Sequence, residues 1–165
     1  MENKFFKILA LVVIPLMLSG CRKSGYNDNN SIVSKDSSGS NKFSSVSPLE
    51  SGKHYGKIGK LDGFWSVLEA NVGKDTEAVL HIKFTSNSGK GKLVLVKPNS
   101  EVEVLAEVIS GQDKEHFEGD VSAKCISGVN KIKIVGENYG GSFEIYQPNG
   151  VIFNNIHEAE VKYEK

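Results

Sequence analysis

Cysteine is nearly absent from this chain: two in 165 residues, Cys21 and Cys125, too few for the disulfide framework that staples small secreted domains. Arginine is scarcer still, with Arg22 alone, and Lys+Arg balance Asp+Glu at 20 each. That neutrality argues against a nucleic-acid partner. No Gly-x-Ser-x-Gly elbow occurs, and no Gly-Lys is followed by Ser or Thr, so the hydrolase-elbow and P-loop signatures are missing. The four histidines, His54, His81, His116 and His157, stand far apart, and no His-x-x-x-His or Cys-x-x-Cys pair is present. Nothing in the sequence specifies a metal or another cofactor, and no catalytic residue stands out.

Long apolar runs are also lacking, with one exception near the start. Residues 8–18 carry no charge and follow Lys4 and Lys7, which is the order of a secretory signal. The run is about half the ~20 apolar residues a transmembrane helix needs, and Pro15 interrupts it. It closes on Leu18-Ser19-Gly20-Cys21. This tetrapeptide resembles the lipobox of bacterial lipoproteins, in which an aliphatic and two small residues precede a cysteine placed directly after the apolar run. The resemblance covers the first 21 residues. It implies that residues 1–20 are a signal peptide, that the Cys21 thiol receives a diacylglyceryl group, and that Cys21 becomes the first residue of the mature chain. Two acyl chains hold a protein firmly to a membrane where one is marginal. The expected partner at this end is therefore membrane lipid, on the extracytoplasmic face. The lysine-for-arginine and asparagine-rich usage is similar to that of AT-rich, low-GC Gram-positive bacteria.

With Cys21 lipidated, Cys125 has no intramolecular partner, and its setting in "SAKCISG" reads as a small buried hydrophobe; the alternative, a reactive thiol, has only Lys124 beside it. Residues 21–50 are dominated by Ser, Asn, Gly and Asp with isolated apolar residues. Such composition buries too little apolar surface to offset ordering, so a disordered tether is expected there. As a coil of about 27 residues it would span roughly 30 Å.

The remainder, residues 51–165, has the size of one domain and reads with period two. Ala78, Leu80, Ile82 and Phe84 alternate with Val79, His81 and Lys83; Val102, Val104, Ala106 and Val108 alternate with Glu103, Leu105 and Glu107; Ile132, Ile134, Phe143 and Ile145 continue the pattern. Alternation of this kind marks half-buried strands. Turn signals at 86–91, 97–100, 110–114, 127–130, 137–141 and 147–150 separate the runs. Eight or nine strands follow, with "EAEVKY" as a closing strand. The expected fold is all-β, a single antiparallel sandwich of jelly-roll-like topology. The stretch "NKIKIVGENYGGSFEIY" is similar to small bacterial lipoproteins and galactose-binding-like modules, a likeness that bears on fold.

Candidate binding residues are aromatic. Phe64 and Trp65 are adjacent, so on a strand they point to opposite faces, and Tyr139 and Tyr146 flank the Gly-Gly turn. An exposed Trp65, Tyr139 or Tyr146 would stack on a sugar ring; each would equally serve as core filling. "DKEHFEGD" gathers Asp113, Glu115, Glu118 and Asp120 around His116, read as a solvated edge against a Ca²⁺ site, and "GKGK" at 89–92 reads as a solvated hairpin tip. Two functions remain open: a non-catalytic envelope lipoprotein binding a glycan, cell-wall component or protein partner, or an extracytoplasmic metal-assisted hydrolase using scattered His and Asp/Glu.

Overall fold

The computed structural model describes residues 25–49, 52–148 and 151–156. The signal segment, the Leu18, Ser19, Gly20 and Cys21 motif, His157 and the expected closing strand lie outside the described residues. Among those described, a 3₁₀ turn (Gly25–Asn27) and one short helix, α1 (Asn29–Ser34), precede seven strands: β1 (Ser37–Leu49), β2 (Lys53–Val72), β3 (Thr76–Val96), β4 (Val102–Ile109), β5 (His116–Cys125), β6 (Gly128–Tyr146) and β7 (Asn154–Asn155). All pairings are antiparallel, in the order β1-β2-β6-β3-β4, with β5 also on β3 and β7 on β2. The fold is an all-β antiparallel sandwich.

Three strands run about 20 residues each, too long for one flat layer, and each bends near its middle. The ladder register slips between Ile58 and Leu61 on β2 and between Ser86 and Lys90 on β3, opposite residues 136–141 of β6. Bulges bend strands in this way. The bend divides the sheet into two leaves. In the first, β5 and the early half of β3 pair beside the end of β6 and the start of β2; in the second, β4 and the late half of β3 pair beside the start of β6 and the end of β2. Their inner faces share the main core, with Ala78, Leu80, Ile82, Phe84, Phe143 and Ile145 from the first leaf and Leu61, Leu68, Leu93, Leu95, Ile132 and Ile134 from the second.

The residues at 86–91 and 137–141, expected as hairpin turns, are therefore mid-strand bends, and fewer, longer strands replace the eight or nine. The physical cause is Tyr139. Its side chain is fully buried at the bend, tilted against Phe84 with ring centroids 5.4 Å apart, and its hydroxyl donates to the Thr85 carbonyl at 2.8 Å. A Cβ at Gly91, Gly136 or Gly141 would press into Tyr139, so these glycines make room for a ring rather than reverse the chain. "GKGK" likewise lies inside β3, and Lys92 is buried there. On β4 the register slips opposite Leu93/Val94. This turns Leu105 inward and leaves Val104 54% exposed, against the simple alternation.

The disordered tether expected over 21–50 is corrected across 25–49. Residues 25–36 form a strap across the outer face of the second leaf, and β1 adds a strand to β2. Two apolar side chains suffice because each meets a prepared site. Tyr26 and Ile32 are buried with Phe64, Val94, Val96 and Val135 in a second, smaller core. The Tyr26 hydroxyl donates to Glu107 at 2.6 Å, and the ammonium groups of Lys90 and Lys92 lie 4.7 and 4.6 Å from its ring centre. Burial, reinforced by Glu107, pushes the Tyr26 phenol well above its ordinary value. Asp28 caps α1, accepting from the Ser31 amide at 3.2 Å and its hydroxyl at 2.7 Å. At the other end of α1 the buried Lys133 ammonium donates to the carbonyls of Ile32 at 2.6 Å and Lys35 at 2.5 Å, satisfying groups a helix end leaves open.

Candidate functional site

With the second leaf covered by the strap, the outer face of the first leaf is the exposed sheet surface. Strand alternation fixes what it presents. Because Ile58, Ile82, Phe84, Phe143 and Ile145 point into the core, their neighbours point out. The register sets three rows across β2, β6, β3 and β5: Lys53, Tyr146, His81, Asp120; then Tyr55, Glu144, Lys83, Glu118; then Lys57, Ser142, Thr85, His116. All twelve are exposed or half-buried.

The polar groups of this face hold one another. His81 Nδ1 lies 2.7 Å from Asp120 Oδ1 and its Nε2 3.7 Å from Glu118. Lys83 Nζ is 2.9 Å from Glu118, whose other oxygen is 3.4 Å from His116 Nε2. The Lys83 hydrogen bond holds the Glu118 carboxyl below its usual range, and Glu118 in turn raises Lys83. Thr85 and Ser142 hydroxyls meet at 2.9 Å. Two aromatic rings complete the surface. Tyr55 and Tyr146 are diagonal neighbours across β2 and β6, a relation that sets Cα atoms about 7–8 Å apart. The Lys53 ammonium stands 5.3 Å from the Tyr146 ring centre. An exposed cation–π contact contributes only ~0.5–1 kcal/mol, so that lysine is weakly held over the ring.

The residues singled out from the sequence separate. Tyr146 lies on the open face. Tyr139 does not: it is the buried plug of the bend, its phenol pushed well above the ordinary range by burial. Trp65 is half-buried against the main core, whereas its neighbour Phe64 is fully buried in the strap-side core, so the two do take opposite faces. Of the acidic run, Glu118, Asp120 and His116 reach the face, while Asp113 and Glu115 lie in the preceding turn, where Glu115 accepts from the Gly111 amide at 2.5 Å. Among the described residues no group of three or more His, Cys, Asp or Glu is placed to hold a metal ion. His54 is buried, its Nε2 3.1 Å from Gln147 Nε2. Cys125 is 1% exposed, and burial pushes its thiol up, the setting of an inert side chain.

Tyr55, Glu144 and Lys83 were not picked out by sequence motifs. The signal lay in the alternation: counting back from Ile58, "HYGKI" places His54 and Gly56 inward and Tyr55 and Lys57 outward. Gly56 makes room for the Phe143 ring directly beneath.

Elsewhere on the molecule a cleft of about 720 Å³ runs between the strap and the β1–β2 edge, lined by Asp28, Ser31, Ser38, Asp62, Glu137 and Asn138 among others. Phe64 also borders it but is 1% exposed, so the cleft presents no aromatic face.

No family model and no curated protein matches the chain. Solved structures similar to it include a mutant of a family 29 carbohydrate-binding module complexed with mannohexaose, 18% identical, with a TM-score of 0.40 over 72% of this chain and 86% of that one. Another is a carbohydrate-binding module of Cellvibrio mixtus lichenase 5A in complex with cellotriose, 14% identical, with a TM-score of 0.37 over 73% of this chain and 90% of that one. The likeness is one of fold.

Proposed function

We propose that this chain is an extracytoplasmic bacterial lipoprotein, anchored through a lipidated Cys21, whose sandwich binds a glycan without catalysing a reaction on it. The observation that carries the binding half is the open face of the first leaf. Two phenolic rings supply apolar stacking surface, and carboxylates, imidazoles, hydroxyls and amines beside them supply the convergent hydrogen-bonding groups that orient a sugar. Lys53, Lys57 and Lys83 balance Glu118, Asp120 and Glu144 on this face, so it favours a neutral polysaccharide over a strongly anionic one. The anchoring half rests on the Leu18-Ser19-Gly20-Cys21 motif at the end of a short apolar run.

Affinity electrophoresis of the chain from Cys21 onward, through gels containing soluble mannan, β-glucan or a polyanionic glycan, tests the binding. The expected result is retardation by a neutral polysaccharide that Tyr146→Ala abolishes. Unchanged mobility in every gel refutes it. For the anchor, mass spectrometry of the membrane-extracted N-terminus is expected to show diacylglyceryl on Cys21; a free thiol there refutes it.

A further inference from the structure

The strap lies on the outer face of the second leaf, and the candidate glycan face is the outer face of the first, with the main core between them. The strap is also well secured. Tyr26 and Ile32 are fully buried, Lys133 holds two of its carbonyls, and Lys131 pairs with Asp36 at 2.7 Å. Only residues 22–24 separate Cys21 from Gly25, the first residue of the strap's 3₁₀ turn. Four residue steps, even fully extended, reach at most about 14 Å. Sheets in a sandwich are already ~10 Å apart before side chains and the strap layer are added, so an anchor on that link cannot swing the first leaf down onto the membrane.

We infer that the strap is a rigid coupling that seats the second-leaf side of the sandwich against a phospholipid surface and turns the Tyr55/Tyr146 face outward. A coil over residues 22–48 would have let the domain tumble through roughly 30 Å; a docked strap gives it a fixed side. The inference rests on the lipid-anchor reading for its biological setting, yet its physical content is separable, because chemical coupling can supply the lipid. Cys125 is buried, which leaves Cys21 as the thiol to couple.

The test couples the chain from Cys21 onward, which retains every described residue, through Cys21 to a maleimide phospholipid in vesicles of phosphatidylglycerol and phosphatidylethanolamine. Acetylation of lysines by a water-soluble reagent is then compared, by mass spectrometry, between coupled and free protein. Lys35, exposed on the strap, is expected to react several-fold more slowly on vesicles, while Lys57 and Lys83 on the open face keep their free rates. A Gly/Ser insert of about twenty residues between Ser24 and Gly25, which spans roughly 25 Å as a coil, is expected to return Lys35 to its free rate without touching the fold. Equal slowing on both sides, slowing at Lys57 and Lys83 alone, no slowing anywhere, or slowing at Lys35 that survives the insert overturns the inference. A free Cys21 thiol in cells would refute the anchor reading and leave the vesicle result to stand by itself.

Discussion

Replacing Lys133 by methionine should make the stability of the protein less sensitive to alkaline pH, by an amount the structure sets. The side chain is 1% exposed, enclosed by the strap carbonyls of Ile32 and Lys35 and 5.7 Å from the Phe64 ring centre. Burial, with repulsion from Lys131 against attraction from Asp36, brings the amine from its ordinary 10.5 down to about 8. Because the folded value is the lower one, between the two the unfolded chain carries a proton that the folded chain has given up. Stability from this group is thus fully present above 10.5 and lost as pH falls through about 8. From pH 7 to pH 10 the gain is on the order of 2–3 kcal/mol. The neutral amine still has two N–H groups for the two carbonyls, so the strap stays docked. In Lys133→Met both carbonyls lose their donor, a cost of ~1–3 kcal/mol each that does not depend on pH. Urea denaturation of both proteins at pH 7, 8, 9 and 10 provides the assay. The gap between wild type and variant should widen with pH by about that amount, since the titration of other groups is common to both. A gap that stays flat or narrows toward pH 10 refutes the reasoning.

Three further outcomes follow from the same geometry. Tyr26→Phe removes the donor to Glu107 and should lower stability by about 1.5 kcal/mol or more, the range for a hydrogen bond to a charged group; an unchanged urea midpoint would show that this hydrogen bond contributes nothing. Gly141→Ala drives a Cβ into the Thr85 carbonyl and the Tyr139 hydroxyl, backbone against backbone at the bend, and should cost more than about 3 kcal/mol. A melting temperature within a degree or two of wild type would contradict that. In the unlipidated chain from Cys21 onward, a water-soluble thiol reagent should modify Cys125 only on unfolding; rapid modification of Cys125 in the native protein would refute the burial argument.

Much of the fold could be read from alternation alone. Ala78, Leu80, Ile82 and Phe84 point inward as their spacing requires, and so do Ile132, Ile134, Phe143 and Ile145. What alternation could not tell was whether "SNSGKG" and "ENYGG" reverse the chain or bend it. Glycine permits both, and the choice is made by Tyr139, a ring that needs space from strands distant in sequence. The strap was hidden for a different reason. Its mean composition is polar, and only Tyr26 and Ile32 dock, so averages over the segment conceal two strong contacts; the Asp28-x-x-Ser31 cap was the local sign of a helix. Of the aromatic candidates, Tyr146 reached an open surface. Tyr55 was recoverable only by fixing the phase of β2 from Ile58, and Glu144 and Lys83 only by knowing that β6 and β3 are neighbours.

The most direct test of the account is calorimetric titration of a neutral oligosaccharide, chosen by the electrophoresis, into wild type, Tyr55→Ala, Tyr146→Ala and Asp62→Ala. The account predicts that each tyrosine variant, still folded by circular dichroism, binds at least about tenfold more weakly, corresponding to ~1.4 kcal/mol, and that Asp62→Ala, in the strap-side cleft, binds as wild type does. Full affinity in both tyrosine variants, or its loss in Asp62→Ala alone, would contradict it.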